Sequence, residues 1–129
     1  MIQHVRVARP TADLKRLVAF YRDVLGLDVI ADFKDHDGFD GIMLGQRGAG
    51  MHLEFTQERG AKPLPLPTPE HLLVLYFEEA DWAAIHQRLR AADVNPVVSH
   101  NPYWDQRGIT VEDPDGYRIV LHRGAWLAR

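Results

Sequence analysis

The sequence predicts an α+β fold built from two copies of one strand–helix–three-strand module, βαβββ followed by βαβββ. Three observations predict it. His4 opens an alternating segment, His4-Val5-Arg6-Val7-Ala8; a helical stretch follows, and a later strand carries Glu54. His71 opens a second such segment, His71-Leu72-Leu73-Val74-Leu75, with another helical stretch and, at the matching distance, the strand Arg118-Ile119-Val120-Leu121-His122. Between the copies stands Lys62-Pro63-Leu64-Pro65-Leu66-Pro67-Thr68-Pro69, whose alternating prolines exclude a helix and favour an extended, stiff connection. The expected architecture is one domain of two modules, about 1–61 and 70–129, joined by the linker 62–69. Each module makes a curved mixed sheet with its helix outside, and the paired sheets enclose a central cleft.

Along the chain, residues 2–8 alternate in polarity and predict a half-buried strand. Pro10 breaks it, and either Thr11 or Asp13 caps the helix that follows. Within residues 12–25, Leu14, Leu17, Val18, Tyr21, Val24 and Leu25 recur at helical spacing, and Gly26 stands just past the end. Leu27–Phe33 reads as a strand, Asp35-His36-Asp37-Gly38 as a solvated turn, and 39–45 and 50–57 as two further strands. In the second module His71–Phe77 is a strand, and 80–92 a helix with Trp82, Ile85 and Leu89 on one face. Strands near 96–99, 107–112 and 117–122 follow, the last two joined by the turn Asp113-Pro114-Asp115-Gly116.

Composition removes several function classes. A chain of 129 residues, 46% hydrophobic, suits one compact domain with a sizeable core. Its 15 basic and 18 acidic residues are interspersed, and a net charge of -3 offers no footprint for nucleic acid. Cysteine is absent, which excludes disulfides, thiolate metal ligands and a cysteine nucleophile. No apolar run approaches the roughly 20 residues of a membrane span, and no signal peptide precedes the first strand. A soluble, cytoplasmic protein without membrane or nucleic-acid partners is expected.

Strand parity selects the residues that enter the cleft. In Met51–Thr56 the apolar set Met51, Leu53 and Phe55 faces the helix, which turns His52, Glu54 and Thr56 to the other face. In the first strand Val5 and Val7 face the helix while His4, Arg6 and Ala8 do not. In the last strand Ile119 and Leu121 face the helix and Arg118, Val120 and His122 are opposite. Both faces of 71–77 are apolar, so parity leaves His71 undecided.

Two stretches carry a family resemblance. Val18-Ala19-Phe20-Tyr21-Arg22-Asp23-Val24-Leu25-Gly26-Leu27 is similar to a helix ending in a Phe-Tyr and Leu-Gly signature, and Glu112-Asp113-Pro114-Asp115-Gly116-Tyr117-Arg118-Ile119-Val120-Leu121 is similar to a final hairpin, of the vicinal oxygen chelate superfamily. That superfamily contains glyoxalase I, extradiol dioxygenases, fosfomycin-resistance enzymes and bleomycin-binding proteins. With the duplicated layout the resemblance spans nearly the whole chain, and Pro10-Thr11-Ala12 lengthens the usual first loop.

The resemblance implies the glyoxalase/bleomycin-resistance/dioxygenase fold, a homodimer, and a divalent metal such as zinc, nickel, iron(II) or manganese. By position the metal ligands fall on His4, Glu54 and His71, and a fourth ligand, the family's catalytic glutamate, is replaced by Val120. Two imidazoles and a carboxylate form a common open site, but valine has no lone pair and moves no proton. His122, two residues along, is a substitute ligand only if the strand bends, its ring lying roughly 6–7 Å further on. Arg6 and Arg118 either bind an anionic substrate or pair with carboxylates such as Glu54 and Glu112. His52 and His122 either line the pocket or are exposed, and Tyr103 and Trp104 either contact substrate or anchor their loop. The implied function is a metal-dependent lyase, isomerase or dioxygenase acting on a small oxygen-rich substrate, and not an ordinary glyoxalase I. The rival reading is a metal-free binding protein of the bleomycin-resistance type.

Overall fold

The structure is a computed structural model and describes residues 1–60 and 63–126. By contacts the chain divides into two compact units, Met1–Pro65 and Leu66–Arg129. The first unit contains β1 (Val5–Pro10), α1 (Leu14–Val18) continued by a π-helical turn (Ala19–Val24), β2 (Asp28–His36), β3 (Phe39–Gly45) and β4 (Met51–Glu58). The second contains β5 (Leu72–Phe77), α2 (Glu79–Ala91), a short 3-10 turn (Pro102–Asp105), β6 (Gly108–Glu112) and β7 (Arg118–Arg123).

The two sheets repeat one topology. The first has the order β1-β4-β3-β2 and the second β5-β7-β6. In each, the opening strand runs parallel to the closing strand, and the closing strand is antiparallel to its predecessor. Even the register repeats: Val5 pairs with Met51 and Leu72 with Arg118, partners equally far along the chain. A parallel pair needs a long crossover, and the helix with its following strands supplies it.

In the first unit Asp13 is the helix cap, its Oδ1 accepting from Arg16 N at 3.2 Å, while Thr11 Oγ1 accepts from Asp13 N at 3.1 Å. Gln57 on β4 holds the lengthened loop from both sides, accepting from Leu14 N and donating to Ala12 O. The expected helix over 12–25 changes pitch at Ala19. The wider turn seats Phe20 and Tyr21 side by side, edge to face at 5.1 Å, with the Tyr21 ring 4.8 Å from Phe55. Gly26 then adopts φ 79, a conformation that suits glycine, and its N–H returns to Arg22 O. Leu17, Tyr21, Leu44, Leu53 and Phe55 form the buried core of this unit. As the edge strand, β1 is more open than its alternation suggests, and Val5 is exposed.

The second unit buries Ile85, Leu89, Val111, Ile119 and Leu121. Trp82 on α2 donates its indole N–H to Leu121 O at 2.8 Å, and the Arg123 guanidinium lies over the Trp82 ring. The expected strand near 96–99 reduces to a single bridge, Val97 with Thr110. Pro96 has no N–H to donate to a ladder. Ser99 satisfies itself through side chains instead, its N–H meeting Asp105 Oδ2 and its hydroxyl Thr110 Oγ1 at 2.6 Å. The Asp113–Gly116 turn is structural, since Asp113 Oδ1 accepts from the N–H groups of Asp115 and Tyr117. The turn expected over Asp35–Gly38 is shorter: β2 runs through His36, which pairs with Phe39, and only Asp37-Gly38 reverses the chain, while Asp40 Oδ1 accepts from Asp35 N and from Arg59, which also pairs with Asp35. Among the described residues no helix is long and apolar enough to cross a membrane.

Two outcomes test this account. Leu17→Ala, at a fully buried site, lowers stability by about 3 kcal/mol, measured as a shift in urea midpoint at constant slope. The Asp35 N–H first and the Arg59 guanidinium second hold the Asp40 carboxyl below its ordinary value. A depressed folded value gives a contribution present above the unfolded value of about 3.9 and lost as acid protonates the folded group. The stability difference between wild type and Asp40→Asn, followed by acid titration, is therefore present at neutral pH, begins to shrink near about pH 4 and is gone once acid has protonated the folded carboxyl.

Candidate functional site

The parallel pairing of β1 and β4 sets Arg6 beside His52 and Ala8 beside Glu54. Leu53 and Phe55, buried on the helix side, turn His52 and Glu54 to the opposite face, as alternation requires. His4 stands one residue ahead of β1, fixed by the Val5 N–H on Gly50 O. These side chains make one continuous row. His4 Nε2 meets His52 Nδ1 at 2.6 Å, Arg6 Nε donates to His52 Nε2 at 2.9 Å, and Arg6 Nη1 donates to Glu54 Oε2 at 3.3 Å.

The row determines its own protonation. A guanidinium only donates, so His52 Nε2 accepts, His52 Nδ1 carries the ring proton, and His4 Nε2 receives it. Burial, and then the positive charge of Arg6, lower the pKa of His52; a proton on His4 would lower it further, and Glu54 pulls the other way. A neutral His52 is what the hydrogen bonds require. The Glu54 side chain is only 14% exposed, and Arg6 supplies its counter-charge.

This donor set, as arranged, does not fit a metal ion. The lone pair of His4 Nε2 is met by a ring proton, that of His52 Nε2 by Arg6, and Glu54 by the same guanidinium. Among the described residues no group of three or more His, Cys, Asp or Glu side chains is placed to hold an ion. Val120, where the resemblance implies a fourth ligand, is fully buried. His71 belongs to the second unit, exposed one residue ahead of β5, where its N–H donates to Thr68 O at 3.3 Å.

On the second unit the equivalent face is aromatic. Register places Tyr76 beside His122, their rings 4.7 Å apart, and the Trp104 ring meets His122 edge-on at 6.5 Å. Tyr103 packs edge to face on Trp104 at 4.9 Å. Asn101 caps their turn, its side chain accepting from Tyr103 N, and Gly108 lets the turn lie close, since a Cβ there would stand 3.2 Å from Trp104 O. Three of these rings were expected from the sequence. Tyr76 was not, because it lies in a strand apolar on both faces; its alignment with His122 was the available signal. Arg118 is spent on structure, donating to Val98 O at 3.0 Å and lying 3.9 Å from Glu112. Arg6 likewise pairs with Glu54, but it also reaches His52.

Residues 5–56 match the YycE-like N-terminal domain and residues 70–123 the YycE-like C-terminal domain. YycE of Bacillus subtilis, an uncharacterised protein, is 46% identical over 118 residues, which cover 91% of this chain and 85% of YycE. The crystal structure of a Bacillus subtilis YycE protein matches with a TM-score of 0.89 at 42% identity, covering 98% of this chain and 93% of that one. The glyoxalase I of Leishmania major matches at 0.74 with 21% identity over 95% of this chain and 86% of its own. The fosfomycin-resistance protein FosX of Mesorhizobium loti matches at 0.68 with 14% identity over 93% and 90%. These last two share the fold. With both halves matched in order and nearly half its residues shared with YycE, the chain belongs to the YycE-like family of the vicinal oxygen chelate superfamily.

Proposed function

We propose that this protein binds a small oxygen-rich molecule on the open face of its first unit, using Arg6, His52 and His4 in place of a resident metal. The observation that carries this reading is the Arg6 guanidinium, which donates to both His52 Nε2 and Glu54 Oε2. It supplies the positive charge that a metal supplies elsewhere, and its remaining N–H groups, on a side chain 49% exposed, are free to meet a carboxylate or phosphonate in a forked geometry. The Tyr103, Trp104 and His122 rings of the second unit are read as stacking surfaces for the same class of ligand. The YycE crystal structure, 42% identical, is of a protein of unknown function grouped with glyoxalase and fosfomycin-resistance proteins, and a small-molecule ligand agrees with that grouping. A cytoplasmic homodimer completes the reading.

A second reading has one observation in its favour: His4, His52 and Glu54 share a face of two paired strands. Metal-assisted chemistry would use His4 and Glu54, with His71 as the third donor that the family resemblance implies.

Calorimetric titration with zinc or nickel separates the two. The proposal expects no stoichiometric binding by the wild type and at least tenfold stronger binding by Arg6→Gln, which releases Glu54; about 1.4 kcal/mol corresponds to that factor. Tight binding by the wild type, lost in His4→Ala and His71→Ala, would return the protein to the metal-dependent enzymes. A kinetic outcome is also expected. Proton transfer by a positioned side chain contributes typically ~10²–10⁴-fold, and Val120 offers none. Isomerisation of the glutathione–methylglyoxal hemithioacetal should be negligible with or without added zinc or nickel. Robust turnover surviving His122→Ala would show that this reading of position 120 is wrong.

A further inference from the structure

Beside the His4–His52 pair, a pocket of about 470 Å³ opens under the turn between β3 and β4. Its apolar wall is Ile30 and Met51, and its polar wall is Gln46, Arg47, His4 and His52. Its volume lies in the range of small-ligand sites.

Three features of the backbone build it. The register of β2 against β3 slips between Val29 and Ala31, leaving Ile30 as the bulged residue. Bulges re-aim side chains and are over-represented next to ligand sites. Gly45, paired with His52, makes room for the re-aimed chain: a Cβ there would stand 3.0 Å from His52 Cβ and 3.2 Å from Ile30 Cδ1. The turn itself runs through Gly48 and Gly50, at φ 83 and 69, and a Cβ on either would meet nothing within 4 Å. It is nonetheless anchored, Ala49 N donating to Gln46 O and Val5 N to Gly50 O.

The charge of the pocket is unbalanced. Arg47 is the one permanently charged residue in its wall, and among the described residues no carboxylate pairs with it. The nearby Glu54 is occupied by Arg6.

We infer that this pocket is a subsite for a small organic anion with an apolar body, an arylcarboxylate in chemical class. The acid group pairs with Arg47, the ring lies on Ile30 and Met51, and the His4–His52 pair forms the inner wall. The subsite extends the face proposed above and rests on that reading.

The test is titration of the full chain with benzoate and with its neutral analogue benzamide, followed by backbone amide resonances. Saturable shifts at Arg47, Gly48, Gly50 and Met51 are expected with benzoate at millimolar concentration. Benzamide and the Arg47→Gln variant each weaken binding about tenfold, the loss of one charge-assisted contact. Gly45→Ala, which drives Ile30 and His52 apart, weakens benzoate without removing Arg47. Unchanged affinity in Arg47→Gln, or no saturable binding by the wild type, overturns the subsite. Benzoate shifts centred on Arg6 and Glu54, sensitive to Arg6→Gln alone, overturn it as well but leave the open-face reading standing. If Arg6→Gln and Arg47→Gln both leave benzoate affinity unchanged, both fail.

Discussion

The rest of this structure depends on the parallel register between the opening and closing strands of each unit. In the first unit β4 is bonded on both sides, to β1 and β3, so its side chains have no freedom to turn. One register setting decides two things at once. It buries Leu53 and Phe55 against Leu17 and Tyr21, and it turns His52 and Glu54 toward Arg6. A slip by one residue would invert every side chain, exposing Leu53 and burying a carboxylate under the helix. Apolar burial, at about 25 cal/mol per Å², strongly opposes that slip. The core therefore holds the polar row in place without the row having to be stable on its own. The Arg6–Glu54 pair, half-exposed on its Arg6 side, could not do this itself, since ion pairs near a surface contribute only about 0–1 kcal/mol.

The same scaffold carries opposite chemistry in the two units. In the first, the ladder positions off the helix are Arg6 with His52 and Ala8 with Glu54. In the second they are Val74 with Val120 and Tyr76 with His122. A shielded carboxylate is costly unless a counter-charge accompanies it, and the first unit supplies Arg6 from the adjacent strand. The second unit has neither the acid nor the partner at the equivalent pair, only two valines. Replacement at Val120 is thus not an isolated gap in an otherwise charged site. On its face the charged residue, Arg118, is engaged by Val98 O and Glu112, and His122 is held between Tyr76 and Trp104.

Much of this was legible in the sequence, for reasons tied to particular residues. Alternation in Met51–Thr56 gave the correct face for His52 and Glu54, because one apolar set had a helix to meet. Gly26 marked the end of the first helix through its left-handed backbone, and of the two candidate caps, Thr11 and Asp13, the structure uses Asp13. Other features turn on pairings between distant residues. Whether Arg6 meets Glu54, His52 or neither depends on a ladder between strands nearly fifty residues apart, which no local pattern encodes. A strand near 96–99 was suggested by Val97 and Val98, yet Pro96 leaves its ladder a donor short and only one bridge forms. The π turn at Ala19–Val24 keeps the apolar spacing of an α-helix, so periodicity could not reveal it. Arg47 sits among glycines and reads as plain turn until the bulge at Ile30 places an apolar wall beside it.

That bulge, and the glycine beside it, distinguish the two sides of the first sheet. On the helix side β3 and β4 are regular, with Leu44, Leu53 and Phe55 filling the core. On the pocket side the ladder is interrupted at Ile30, and Gly45 occupies a paired strand position where glycine costs roughly 0.5–1 kcal/mol relative to alanine. Neither departure improves the sheet as a sheet. A Cβ at position 45 would force His52 and Ile30 apart, so the glycine is required only if those two side chains are to stand side by side. The register of β2 on β3 slips at Ile30, where Ile30, His52 and Arg47 share one opening, and slips again between Phe33 and His36. The first of these slips is the one that the proposed subsite uses, since a bulge re-aims the side chain it carries.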